Sequence, residues 1–196
     1  PVAAGSDPNI QWSAAASDFW ATPFGETTEP PKIVAKTAPN PPTTNDLAQT
    51  AEIQFTADIT NKVAELGGSP VALYEYVRNN IRFDPYAGSR RDAAETMLNG
   101  MGNEVDQASL LMALYRAAGI PCRYVFGTVW IDFPAAMDWF GVTGSNALET
   151  IVMNVYTNSA AVPDGLGGYA AMQKDHAWVE AYLPYSQYRG AGTNQS

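Results

Sequence analysis

The pattern of apolar and polar positions changes character several times along the chain. Residues 1–45 show no period. Pro, Ala, Thr and Ser dominate there, with Pro30-Pro31 and Pro41-Pro42, and the apolar weight sits in Trp12, Phe19, Trp20, Pro23 and Phe24. Unstructured tails are poor in aromatics, so this stretch reads as an extended arm pinned by those rings. A linker to a neighbouring domain is the equal alternative. From 46 to 196 the patterning is that of one domain. A short extended piece is expected near Glu52–Phe55, then a helix ending at Gly67-Gly68. Ser69-Pro70 is a cap followed by proline in the first turn, and Leu73, Tyr74, Val77 and Ile81 recur at helical spacing. Asp92 to Leu98 predicts a short helix closed by Asn99-Gly100.

The strongest helical signal runs over 104–118. Asn103 is its cap with Asp106 three residues on; Ala108, Leu111, Met112 and Tyr115 make one stripe, and Gly119 stops it. Pro121 opens a β-branched and aromatic strand over 122–131. Residues 134–140 and 145–158 are predicted helical, and the Gly- and Ala-rich 159–172 reads as a loop. A second strand runs from His176 to Leu183 with period two. His176, Trp178, Glu180 and Tyr182 point one way; Ala177, Val179, Ala181 and Leu183 point into the core. The architecture expected is α+β, a helical half whose central helix packs on an antiparallel sheet. The segment 132–172 interrupts the strands and is a candidate lid, with ordinary packing of its two helices as the equal alternative.

Composition narrows the function. The 196 residues are 46% hydrophobic and 16% charged, enough for a sizeable core, and the formal net charge is −9. That charge repels phosphate backbones and anionic lipid, so nucleic acid is not an expected partner. No apolar run is long enough to insert in a bilayer. Cys122 is the only cysteine, so no internal disulfide forms, and with a single histidine no zinc-ligand spacing exists. Phosphate-cradling and serine-hydrolase motifs are missing. Neither a metal nor a cofactor is expected. The chain begins at Pro1, which reads as a processed product.

Two separated stretches then carry a specific likeness. Residues 102–127, GNEVDQASLLMALYRAAGIPCRYVFG, resemble the central motif of transglutaminase-like domains of the papain superfamily: Gly-x-Cys-x-Asp-x-Ala, an apolar helix, then Arg-Ala-x-Gly-Ile-Pro-x-Arg turning into a strand. Residues 176–182, HAWVEAY, resemble that family's histidine strand, and 73–100 fits its lead-in. The resemblance spans about residues 50–185. It implies a papain-like fold and a cleft where residues 103–106 meet His176. In such a cleft a thiol at a helix N-terminus is favoured as thiolate by unpaired N–H groups and the helix dipole. A histidine moves the proton and an acid orients the imidazole.

Two departures follow from the same alignment of motifs. Glu104 stands where the resemblance implies the nucleophilic cysteine, and the chain stops at Ser196, about where the strand of the orienting acid is expected. A carboxylate also suits a helix N-terminus but is a poor acyl-transfer nucleophile. Glu104 is therefore expected to lie as an anion against His176, raising the imidazole pKa. Cys122, at a strand start past the C-terminal end of the helix, reads as a small core residue. Asp106 is expected to cap and to support the site, Arg123 to brace it or pair with an acid. Trp130, Trp178 and Tyr182 are candidates to line a groove, with core packing as their other reading. Three functions stay open. The first is an inactive module of a larger secreted or surface protein, binding a protein, peptide or glycan. The second is an enzyme using Glu104 and His176 as an acid–base pair. The third is a spacer whose groove is filled by 1–45 or 132–172.

Overall fold

The computed structural model describes residues 41–156 and 159–183. The arm expected over 1–45 therefore lies outside the described residues except for its end, which forms a 3-10 turn at Thr44–Leu47. In chain order the elements are α1 (Ala57–Glu65), α2 (Pro70–Asn80), β1 (Arg82–Phe83), α3 (Ala93–Asn99), β2 (Met101–Gly102) and α4 (Glu104–Ala117). There follow β3 (Cys122–Asp132), α5 (Phe133–Phe140), α6 (Ser145–Val155), β4 (Ser159–Pro163) and β5 (Tyr169–Ala181).

The helix boundaries obey local chemistry. Thr56 and Ser69 each turn a side-chain oxygen onto an N–H of the first turn of α1 and α2, satisfying donors that no carbonyl reaches. Asp92 does the same for α3, which ends at Gly100 with φ 64°. No strand forms at Glu52–Phe55. Thr50 and Ile53 exchange backbone hydrogen bonds across a tight turn instead, which seats Ile53 in the core.

Helix α4 is buried around most of its circumference, not along one stripe. Leu110, Met112, Ala113 and Leu114 are fully buried, and so are the polar Asp106, Ser109 and Arg116. Buried polar groups need partners, and these have them. Ser109 Oγ lies 2.7 Å from the Tyr124 hydroxyl, and Arg116 donates to Cys122 O at 2.8 Å and Ala48 O at 2.6 Å.

The sheet is antiparallel, in the order β3-β5-β4. The loop expected over 159–172 is in fact β4 and the first part of β5. Its small residues hid it, since Ala and Gly carry little strand preference. Alternate residues of the sheet divide between two apolar clusters. Cys122, Tyr124, Phe126, Val179 and Ala181 join α1–α4 in one. Met172, with Ile131 and Ala161 opposite it, joins α5 and α6 in the other. Leu183, expected in the core, is exposed just beyond the strand's end.

Candidate functional site

The N-terminus of α4 is fixed by a network around Tyr86. Asn103 Oδ1 accepts from the N–H groups of Val105 and Asp106, each at 3.0 Å, so the predicted cap forms. Its Nδ2 donates to Tyr86 O and Gly88 O at 2.9 and 2.6 Å. The Asp106 carboxylate does not close a capping box. It accepts from the Tyr86 hydroxyl and, at 3.2 Å, from the Arg90 N–H. Tyr86 accepts in turn from Arg91 Nη1 at 2.9 Å and from the Asn103 N–H at 3.3 Å. Burial, and then the hydrogen bond to Asp106, push the phenol up to about 12. Asp106 is thus fully buried, with its carboxylate committed to Tyr86 and Arg90. Gly102 is required here, because a Cβ would lie 2.8 Å from Asp106 Cβ.

From this anchored turn Glu104 faces β5, but its partner is not His176. Lys174 Nζ lies 2.5 Å from Glu104 Oε1, with the two side chains 0% and 7% exposed. The expected pairing fails because strand β5 begins seven residues before His176, at Tyr169. Period two then brings Lys174 onto the same face as His176, and a longer, more basic side chain takes the carboxylate. Four rings surround the ammonium: Tyr156 at 4.0 Å, Trp139 at 5.1 Å, Phe83 at 5.8 Å and Phe140 at 6.0 Å to their centroids. Their quadrupoles replace some of the lost hydration. Burial still lowers the lysine pKa, against the opposing pull of Glu104.

His176 stands beside this pair, between two indoles. Trp139 meets it edge-on at 5.3 Å and Trp178 stacks on it at 5.8 Å. Among the described residues its buried Nδ1 has no hydrogen-bond partner. Burial first, and the Lys174 charge second, lower its pKa to about 4. The expected rise is therefore reversed, because burial disfavours the imidazolium and the charge acting on it is the Lys174 cation. Glu104 Oε2 and the Tyr156 hydroxyl also lack partners among the described residues, and burial raises the Tyr156 phenol.

The remaining candidates scatter. Arg123 pairs with Glu180 at 2.7 Å, as an acid-paired brace. Trp178 is partly exposed and lies across Gly127, where a Cβ would meet its ring at 2.9 Å. Trp130 pairs in register with Gln173, and Trp178 with Val125, which puts the two indoles on opposite faces of the sheet. They cannot line one groove. Tyr182 is exposed past the end of β5. Cys122 is a core thiol, pushed up to about 11 chiefly by burial.

Both predicted helices of the 132–172 segment form. Trp139 and Phe140 of α5, with Tyr156 after α6, close over Lys174 and His176. Lys174 and Tyr156 join the centre although neither stands in the two family-like stretches, 102–127 and 176–182. The only signal for Lys174 was the alternation of the histidine strand, carried one step back. Among the described residues no three His, Cys, Asp or Glu side chains gather as metal ligands, and no helix is long and apolar enough to cross a membrane.

Residues 53–190 match the family model of the transglutaminase-like superfamily. No curated protein matches the chain. Among solved structures it is similar to a "putative cysteine protease" from Cytophaga hutchinsonii, with 20% identity and a TM-score of 0.46. The match covers 70% of this chain and 37% of that one, so the present chain spans little more than a third of its length.

Proposed function

Since the chain belongs to the transglutaminase-like superfamily, we propose that it is a member without thiol acyl transfer, serving to bind a protein, peptide or glycan. In this reading Glu104 occupies the nucleophile's place. One observation carries it: the carboxylate at the head of α4 is neutralised by a fully buried lysine under aromatic rings. A carboxylate held this way has no free path to a substrate. His176, neutral and with Nδ1 unpartnered, has no acid to orient it among the described residues. Binding would then fall to the surface beside the closed centre, where Trp178, Tyr182 and Leu183 are exposed.

The filled cleft also favours a second reading, a spacer in which the centre only holds the fold. The two separate on His176→Ala and Trp178→Ala. A spacer loses stability alone, whereas a binding module loses partner affinity with Trp178→Ala at unchanged stability. Catalysis by a Glu104–His176 pair draws no support from a geometry in which Glu104 contacts Lys174.

Amine incorporation into a glutamine-bearing protein and hydrolysis of side-chain amides test the proposal. Wild type, Cys122→Ser and Glu104→Gln should all match the blank. Turnover that survives Cys122→Ser but disappears in Glu104→Gln would refute it in favour of carboxylate chemistry. Turnover lost with Cys122→Ser would place the nucleophile in the thiol.

A further inference from the structure

The Glu104–Lys174 contact has a chemical possibility that neither a binding nor a spacer role requires. An amine nitrogen and a carboxyl group, each almost fully excluded from water, are held at 2.5 Å by elements 70 residues apart in sequence. Such a pair is oriented for reaction by the fold itself. Fixed proximity of that kind replaces a bimolecular encounter and is worth many orders of magnitude in effective concentration. The rings of Phe83, Trp139, Phe140 and Tyr156 enclose the nitrogen, and Lys174 is fully buried. An outside electrophile has no approach to it, and the electrophilic carbon at hand is Cδ of Glu104.

We propose that Lys174 and Glu104 condense into an intramolecular amide, an autocatalytic cross-link between strand β5 and the first residue of helix α4. The balance needs no other reagent. A proton passes from the ammonium to the carboxylate, leaving a neutral amine and a carboxylic acid. The nitrogen lone pair forms the N–Cδ bond. One C–O bond then breaks, and that oxygen leaves as water with two of the three ammonium protons. Burial drives the first step, because it lowers the affinity of Lys174 for its proton. The rings oppose it by favouring the cation. The product removes both charges from an apolar enclosure, where an ion pair is costly to keep. Three polar atoms at the site have no hydrogen-bond partner among the described residues: Glu104 Oε2, the Tyr156 hydroxyl and His176 Nδ1. Burial and the Lys174 charge leave the histidine neutral over the physiological range and a weak base, so the proton transfers of the condensation fall to the pair itself. Cross-linking of this kind would consume Glu104, so it is compatible with a binding or spacer role and incompatible with carboxylate catalysis.

Intact-mass measurement of the purified chain, followed by tryptic mapping, is the test. The folded protein should be lighter than its sequence mass by one water. Trypsin should not cut after Lys174, and the peptide holding Lys174 should be joined to the peptide holding Glu104. Localisation matters, because dehydration at Asp164-Gly165 also removes one water. Glu104→Gln should lose one ammonia in place of water, and Lys174→Arg should lose neither. A wild-type chain at full sequence mass, cleaved after Lys174, would overturn the proposal, as would a water loss that maps elsewhere. These outcomes are independent of turnover, so the cross-link and the functional reading stand or fall on separate readings.

Discussion

At the scale of single residues, the decisive fact is which cation meets Glu104. A buried pair broken on one side leaves an uncompensated charge, and that costs about 3–5 kcal/mol, whereas an apolar pair of similar volume can be near neutral. Measured against wild type in which the pair is still ionic, Lys174→Met and Glu104→Leu should each lower stability by about that amount in urea titrations, and the double variant should lose less than either. His176 adds a pH dependence of its own. Its folded pKa, about 4, lies below the ordinary 6.5. Between those values the unfolded chain binds the extra proton, so stability should fall as pH drops from about 6.5 towards 4 and level off below. His176→Phe should flatten that limb of the curve. The histidine, the helix-head carboxylate and the acid-paired Arg123 were all legible in the sequence. Lys174 was not, because its strand was read as starting at His176.

At the scale of elements, the head of α4 is held from three directions at once. Asn103 caps the helix and ties down Tyr86 O and Gly88 O, while the Asp106 carboxylate takes the Tyr86 hydroxyl. Removing an N-cap side chain typically costs about 1 kcal/mol, up to about 2. Asn103→Ala should reach the upper figure, since the buried Tyr86 carbonyl and the Gly88 carbonyl also lose a donor. Gly102→Ala should cost about 1–3 kcal/mol through overpacking, because the atom it meets is a Cβ fixed to the helix. Chemical denaturation reads both. The helices were legible because caps, prolines and apolar spacing all agreed. Strand β4 and the start of β5 were not, because their Ala-rich sequence carries no alternation that marks a face. Their strand character comes from pairing with β3 and with each other.

At the scale of the whole molecule, the sheet separates two apolar clusters, and the Glu104–Lys174 pair lies where α4 and the α5–α6 segment meet. The segment between β3 and β5 places the rings of Trp139 and Tyr156 over the centre. Trp139 is the ring shared by Lys174, His176 and Phe83. Trp139→Ala should therefore cost about 3 kcal/mol and let water reach His176, moving its pKa up towards 6.5. The central claim is that Lys174, not His176, answers the carboxylate at the head of α4. With one histidine in the chain, NMR titration of the imidazole carbons tests it without ambiguity. The imidazole should stay neutral down to about pH 4. A midpoint above 6.5 that falls on Glu104→Gln would contradict it, placing the carboxylate against the imidazole after all.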